Sequence, residues 1–250
     1  EAEAGQEEIN VRYAEALTMA DRHAIIKNAC KEIAWSQGRA VSFMAKWNTQ
    51  AAGSSCHLHQ SLSSLDGKPL FHDAAAEHGM SDLMRHYLAG LLHHADEITY
   101  FLAPYVNSYK RFMAGTFAPT KAIWSLDNRT AGYRICGADS TAVRIECRVG
   151  GADLNPYLAM AALLAAGIHG IENQRELEPE FVGDAYGGEG VREIPATLRA
   201  AIAALDGSAM LRAAMGDEVI EHYLHAARWE QFEDDRRVSD WEMARGFERA

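Results

Sequence analysis

Positive charge is scarce in this sequence. Its 24 lysines and arginines are set against 35 aspartates and glutamates, a formal net charge of −11. A protein that neutralises nucleic-acid phosphates or docks on anionic lipid needs a cationic face, so no nucleic-acid or membrane-surface partner is expected. Cysteine is also scarce: Cys30, Cys56, Cys136 and Cys147 stand without paired spacing, and no hydrophobic leader pattern opens the chain. Both point to reduced thiols and a cytoplasmic location. No apolar run approaches the ~20 residues of a spanning helix, and no fixed-period repeat appears, which excludes a membrane-embedded chain and a solenoid. No linker marks a second domain, so residues 1–250 are read as one. The first residue is Glu1 rather than methionine, and the start is read as a break or a cut. What is present is 250 residues at 48% hydrophobic content, enough for a substantial core and a small-molecule site.

Apolar positions at helical intervals (Ala16, Met19, Ala24, Ile25, Ile33, Ala34) predict a helix over 13–37, stopped at Gly38. From 41 to 62 the chain reads as strand, and the alternation Cys56, His57, Leu58, His59 puts the two imidazoles on one face. A long helix capped by Ser81 is predicted over 81–102, and strand-like segments rich in Gly, Arg and Asn over 106–149. Asn155 and Pro156 open an apolar helix through Ile171, expected to be buried all round. The acidic, glycine-containing stretch 176–193 reads as a surface flap carrying an exposed Tyr186, and 195–250 as helical throughout. Strands interleaved with and then followed by helices predict an α+β domain, a curved antiparallel sheet backed by helices with a helical C-terminal portion.

Three clusters could carry chemistry. Glu1 and Glu8 flank a Gly-Gln bend that could fold two oxygen ligands toward one hard cation, or they are simply solvated acids. His57 and His59 could supply a metal ligand and a phosphate donor, or merely satisfy a strand. A zinc site with Cys56 is disfavoured, because alternation points the thiol away from both rings. Arg144-Ile-Glu146-Cys-Arg148 puts Arg, Glu and Arg on one face of a strand. With Arg111, Arg129 and Arg134 in the same half, the guanidiniums either converge on a polyanion or form a surface salt-bridge ladder.

In order, the motifs E-x6-E, G-x3-H-x-H-x-S, NSYKR, NRT-x3-R, R-x-E-x-R and NPYLA resemble those of the glutamine synthetase family, over residues 1 to about 172. The resemblance implies the family's catalytic-domain fold, a half-barrel sheet backed by helices. It implies two or more Mg2+ or Mn2+ ions on Glu1, Glu8, His57 and Glu146. It also implies ATP contacts from Tyr13, His59, Ser61, Arg134 and Arg144, and a glutamate site at Gly53, Arg111 and Arg148. Arg129 would stabilise the transferring phosphoryl group, with Arg111 beside it in the catalytic set. The implied reaction has two steps: the γ-carboxylate of glutamate attacks the terminal phosphate of ATP, and an amine or ammonia then displaces phosphate from γ-glutamyl phosphate.

Departures from the pattern sharpen the expectation. Phe117 stands where ammonia-using members carry a glutamate after NSYKR, and an aromatic ring cannot act as a base. This points to a γ-glutamyl-amine ligase using an organic amine, with an ammonia-using synthetase as the alternative. Ala52 replaces an asparagine common before Gly53. The family's upstream E-x-E strand and N-terminal β-grasp domain, which complete the site across subunits of a ring-shaped homo-oligomer, are absent from this sequence. Two other classes compete. A non-catalytic relative is opposed by the intact charged set, which a scaffold has no use for. A guanidino-kinase-like phosphotransferase would share the arginines but lack the paired glutamates and histidines.

Overall fold

The computed structural model describes residues 1–249; Ala250, the last residue of the expected C-terminal helical stretch, lies outside them. The first helix, α1, runs Ala16–Ser36, three residues inside the predicted start, because the Glu15 carboxylate accepts from the amides of Leu17 and Thr18. It ends ahead of Gly38, which adopts φ +63°. Only Ala20 of α1 is buried, while Leu17, Ile25, Ile33 and Trp35 are exposed.

The strand expected over 41–62 shrinks to β1, Leu58–Gln60. Upstream of it the amides are satisfied by side chains and turns instead of a ladder. Asn48 Oδ1 accepts from Gln50 and Ala51, and Asn107 exchanges two bonds with the main chain of Lys46. Asparagine offers the backbone this alternative to sheet pairing.

The long helix expected over 81–102 is two, α2 Asp82–His93 and α3 Ala95–Leu102. The break is at His94, whose buried ring bridges Glu97 Oε1 (2.8 Å) and His169 Nδ1 (2.9 Å). After a one-turn helix α4, Val106–Tyr109, come β2 Trp124–Leu126, β3 Tyr133–Cys136 and β4 Arg144–Cys147. The sheet order is β1-β4-β3-β2, with β2 parallel to β3 and the other pairs antiparallel. The expected all-antiparallel sheet is therefore corrected to a mixed one. Strands of three and four residues need a return path of only about 10 Å, which 127–132 spans through an Asx turn at Asn128.

The helix α5, Pro156–Glu172, is capped by Asn155 and crosses α2 where glycines meet. A Cβ on Gly90 would lie 2.2 Å from the Ala166 carbonyl, and one on Gly167 2.2 Å from the Tyr87 ring. Its burial is one-sided: Leu164 and Ile168 remain exposed. The C-terminal stretch is four helices, α6 Leu198–Asp206, α7 Ala209–Met215, α8 Asp217–Asp235 and α9 Asp240–Phe247, interrupted at Gly207-Ser208, at Gly216 (φ +87°) and at 236–239. One hydrophobic core joins the inner sheet face (Leu58, Tyr133, Ile135, Ile145, Cys147) to α2, α3, α5 and the C-terminal helices. The fold is α+β with a helical C-terminal part, and the core leaves the other sheet face free for polar groups.

Candidate active site

Period-two alternation decides what that face carries. On β4, Ile145 and Cys147 are buried in the core, so Arg144, Glu146 and Arg148 share the opposite face. Register then sets His59 of β1 and Arg134 of β3 on either side of Glu146. Alternation also takes Cys56 toward the core, where burial pushes its thiol up to about 11. The cysteine does not join the two imidazoles.

Glu146 is the centre, only 3% exposed. Its carboxylate accepts from Arg148 Nη1 (2.9 Å) and Arg134 Nη1 (3.2 Å), and lies 3.3 Å from His57 Nδ1 and 3.6 Å from His59 Nε2. Arg148 also donates Nε–H to the Arg129 carbonyl (3.1 Å), and Arg134 is held from its other side by Asp127 (2.9 Å). Arg144 donates to His59 Nδ1 (3.2 Å), which makes His59 a neutral ring with its proton on Nε2. Burial, then the charges of Arg148, Arg111 and Arg134, pull the His57 pKa down to about 3. His57 is therefore neutral at physiological pH, and its Nε2 is buried without a hydrogen-bond partner. A neutral imidazole with a free nitrogen beside a buried carboxylate suits a divalent cation.

The N-terminal carboxylates form a second group. Glu1 and Glu8 are hydrogen-bonded to each other, which raises the Glu1 pKa above the ordinary range and lowers that of Glu8; the Asn10 side chain and the more distant Arg129 charge add to the lowering. Two carboxylates this close share a proton unless a cation separates them, and oxygen donors of this kind suit Mg2+ or Mn2+. The loop is tied to the body by residues that sequence reading missed. Gln6 Nε2 donates to the Gly53 carbonyl (3.1 Å) and Ser54 Oγ (3.3 Å), and Glu3 Oε1 accepts from the Ala52 amide (2.9 Å).

Gly53 and Arg111 are in contact. A Cβ at Gly53 would lie 2.4 Å from Arg111 Cγ and 2.6 Å from the Ala45 carbonyl, so no larger residue fits. Arg111 is fully buried, with Nη2 donating to the carbonyls of Val149 and Gly150 and Nε unpartnered. Burial lowers its pKa to about 10, with Asp153 opposing that fall. The Asp153 carboxylate accepts from Ser108 (2.7 Å) and leaves Oδ1 unpartnered. Its charge effect on Arg111 had no local signal, since the two lie 42 residues apart in the chain.

Tyr13 (87% exposed), Ser61 and Phe117 (59% exposed) lie on the surface. Phe117 has φ +58°, a left-handed conformation uncommon for an aromatic residue, in a bend that also contains Gly115 at +77°. The structure thus brings together His57, His59, Arg134, Arg144, Glu146 and Arg148, with Arg129 attached through its carbonyl, and pairs Glu1 with Glu8. It does not pack Tyr13 or Ser61 against them. Asp127, the residue before the NRT motif, is a further member that went unnoticed. Tyr186, expected in an exposed flap, instead turns its hydroxyl inward.

Comparison with known proteins gives the family. Residues 1–246 match the family described as glutamine synthetase, catalytic domain. The chain is 47% identical over its whole length to the gamma-glutamylethanolamide synthetase of Streptomyces coelicolor, of which it covers 53%. It is 38% identical over 243 residues (96% of this chain, 53% of the relative) to a glutamate–isopropylamine ligase of a Pseudomonas species. A solved structure of GmaS in complex with ADP superposes with a TM-score of 0.87 at 32% identity, covering 95% of this chain and 56% of that one. The chain spans about half the length of the curated relatives it matches.

Proposed function

This chain belongs to the glutamine synthetase family, as its catalytic domain, and from that premise we propose that the protein containing it joins the γ-carboxyl of glutamate to an organic amine using ATP. The observation that carries the ligase reading is the cluster at Glu146: one buried carboxylate, two neutral imidazoles and three guanidiniums on one sheet face. Such a face has little use in a scaffold but suits a polyphosphate and its cations.

In this reading Glu1, Glu8, His57 and Glu146 hold Mg2+ or Mn2+, which supplies neutralisation of phosphate charge. Arg134, Arg144, His59 and Ser61 bind the ATP phosphates, with the exposed Tyr13 ring available to adenine. Gly53, with Arg111 packed beneath it, forms the floor of the glutamate site, and Arg148 supplies the guanidinium for its carboxylate. Arg129, held beside Arg148 through its carbonyl, stabilises the transferring phosphoryl group. In the first step a γ-carboxylate oxygen bonds to the terminal phosphorus of ATP as ADP leaves. In the second, the amine nitrogen bonds to the carbonyl carbon of the γ-carboxyl, the C–O bond to phosphate breaks, and the proton that nitrogen gives up goes to the departing phosphate, since Phe117 has no group to receive it. That residue favours a nucleophile with an apolar part.

The remaining length of the protein is proposed to carry the E-x-E strand and β-grasp domain, to extend the four strands into a half-barrel, and to complete sites across a ring-shaped homo-oligomer. The test is phosphate release from ATP and glutamate by the whole protein, with Mg2+, across ammonia, methylamine, isopropylamine, ethanolamine, putrescine and aniline. Turnover is expected with an organic amine and poor with ammonia. Phe117→Glu is expected to lower the amine-to-ammonia ratio of kcat/KM about tenfold or more, about 1.4 kcal/mol of differential transition-state binding. Best turnover with ammonia by the unaltered protein would refute the organic amine, and no turnover with any amine would refute the ligase.

A further inference from the structure

Arg134 is held from two sides. Its Nη1 donates to the buried Glu146 carboxylate (3.2 Å). On the other side Nε donates to Asp127 Oδ1 (2.9 Å), and Nη2 donates to the same oxygen. A guanidinium carries five N–H donors, so these three bonds leave two for a ligand. Either hold alone would let the planar group turn on its flexible stem, whereas the two together fix its plane.

The backbone places Asp127 for this contact. It is the first residue after β2 and has φ +45°, the left-handed region that a residue other than glycine seldom occupies. Its N–H donates to the Ile135 carbonyl (3.0 Å), and Leu126 N–H just before it donates to Glu180 Oε1 (2.8 Å). Just after it, Asn128 Nδ2 donates to the Gly183 carbonyl (2.8 Å). The carboxylate therefore starts from a fixed point, which is what orienting another side chain requires. The hydrogen bond from Arg134 holds its carboxyl below the usual carboxylate range, so it is ionised at neutral pH.

Stability gives Asp127 little reason to be there. Its side chain is 79% exposed, and an ion pair this open to solvent adds little to folding. Glu146, by contrast, is buried and shared between Arg134 and Arg148 beside His57. A cation on Glu146 competes with Arg134 for the same oxygens, and Asp127 is then the hold that stays.

We propose that Asp127 is a positioning residue for nucleotide binding, gripping the Nε edge of Arg134 so that its two remaining N–H groups meet the ATP phosphates. The inference rests on the ligase reading above.

The test is equilibrium binding of MgATP and steady-state kinetics, with the whole protein and its Asp127→Ala, Asp127→Asn, Arg134→Met and Asp127→Ala/Arg134→Met variants. Asp127→Ala is expected to raise the Kd and the KM for ATP about fivefold to tenfold. The KM for glutamate and for the amine should change by less than about twofold, and the melting temperature by less than about 2 °C. Asp127→Asn should stay within about threefold of the unaltered protein, because both N–H groups go to one oxygen and the amide keeps an oxygen there. With Arg134 already replaced by methionine, Asp127→Ala should add less than about twofold. Unchanged ATP constants in Asp127→Ala, an equal rise for glutamate and ATP, an asparagine variant as weak as the alanine one, or the same loss with and without Arg134 each overturns the proposal. If the unaltered protein turns over no amine, the ligase reading fails separately, and Asp127 is judged by the Kd for MgATP in the same proteins; no MgATP binding by the unaltered protein overturns both.

Discussion

Replacing Glu146 by glutamine isolates the charge at the centre of the site. The amide keeps the volume and one acceptor oxygen, so packing is preserved and the negative charge alone is lost. Against Arg148 Nη1 at 2.9 Å, the gross Coulomb term at an effective dielectric of ~20 is about 6 kcal/mol. The amide also escapes the several kcal/mol that burying the carboxylate costs, which leaves a net destabilisation of about 2–3 kcal/mol. The loss should be unequal between the arginines. Arg134 retains Asp127, whereas Arg148, whose side chain is 5% exposed, retains only the Arg129 carbonyl and His57. A double-mutant cycle of Glu146→Gln with Arg148→Met should therefore give a coupling of about 2 kcal/mol, and one with Arg134→Met about 0.5 kcal/mol. The assay is urea unfolding at neutral pH with chelator present, followed by tryptophan fluorescence, to which Trp124, buried on the core face of β2, contributes. A destabilisation under about 0.5 kcal/mol, or a stronger coupling to Arg134 than to Arg148, would refute this account of the cluster.

Gly53→Ala should raise the KM for glutamate at least about tenfold and cost about 1–3 kcal/mol of stability, because the new Cβ meets Arg111 Cγ at 2.4 Å and the Ala45 carbonyl at 2.6 Å; kinetics and urea titration of the variant check both. His57 gives a pH signature. Its folded pKa of about 3 lies below the unfolded value of about 6.5, so between them the unfolded chain binds the extra proton. Stability from this group is present above about pH 6.5 and is lost as pH falls toward 3, with a slope of at most about 1.4 kcal/mol per pH unit. His57→Gln should flatten the acid limb of stability against pH, and an unchanged slope would contradict the neutral, desolvated imidazole.

Much of the site is local information. Strand alternation at Arg144 to Arg148 and at His57 and His59 assigns faces from sequence alone, because the period of two is a property of extended backbone. The Asn155 cap with Pro156 likewise marks the start of α5 without tertiary help. Spacing could not reveal what depends on partners distant in the chain. The parallel pairing of β2 with β3 arises from a six-residue return that only such short strands allow. The division of the predicted 81–102 helix comes from His94 reaching His169, 75 residues away. The helix α1 was legible from its apolar positions, yet most of them are exposed, so periodicity located the helix without telling which face is covered.

The sequence by itself determined the family, the α+β class and the residue types that meet at the sheet face, since motif order, helix signals and alternation are all written in short stretches of chain. Tertiary structure alone decided that Glu146 is the buried hub, that Arg111 lies beneath Gly53, and that Tyr186 faces inward. Each of those depends on burial and on contacts between elements far apart in sequence, and an acidic glycine-rich stretch has the same composition whether it is free or fastened down.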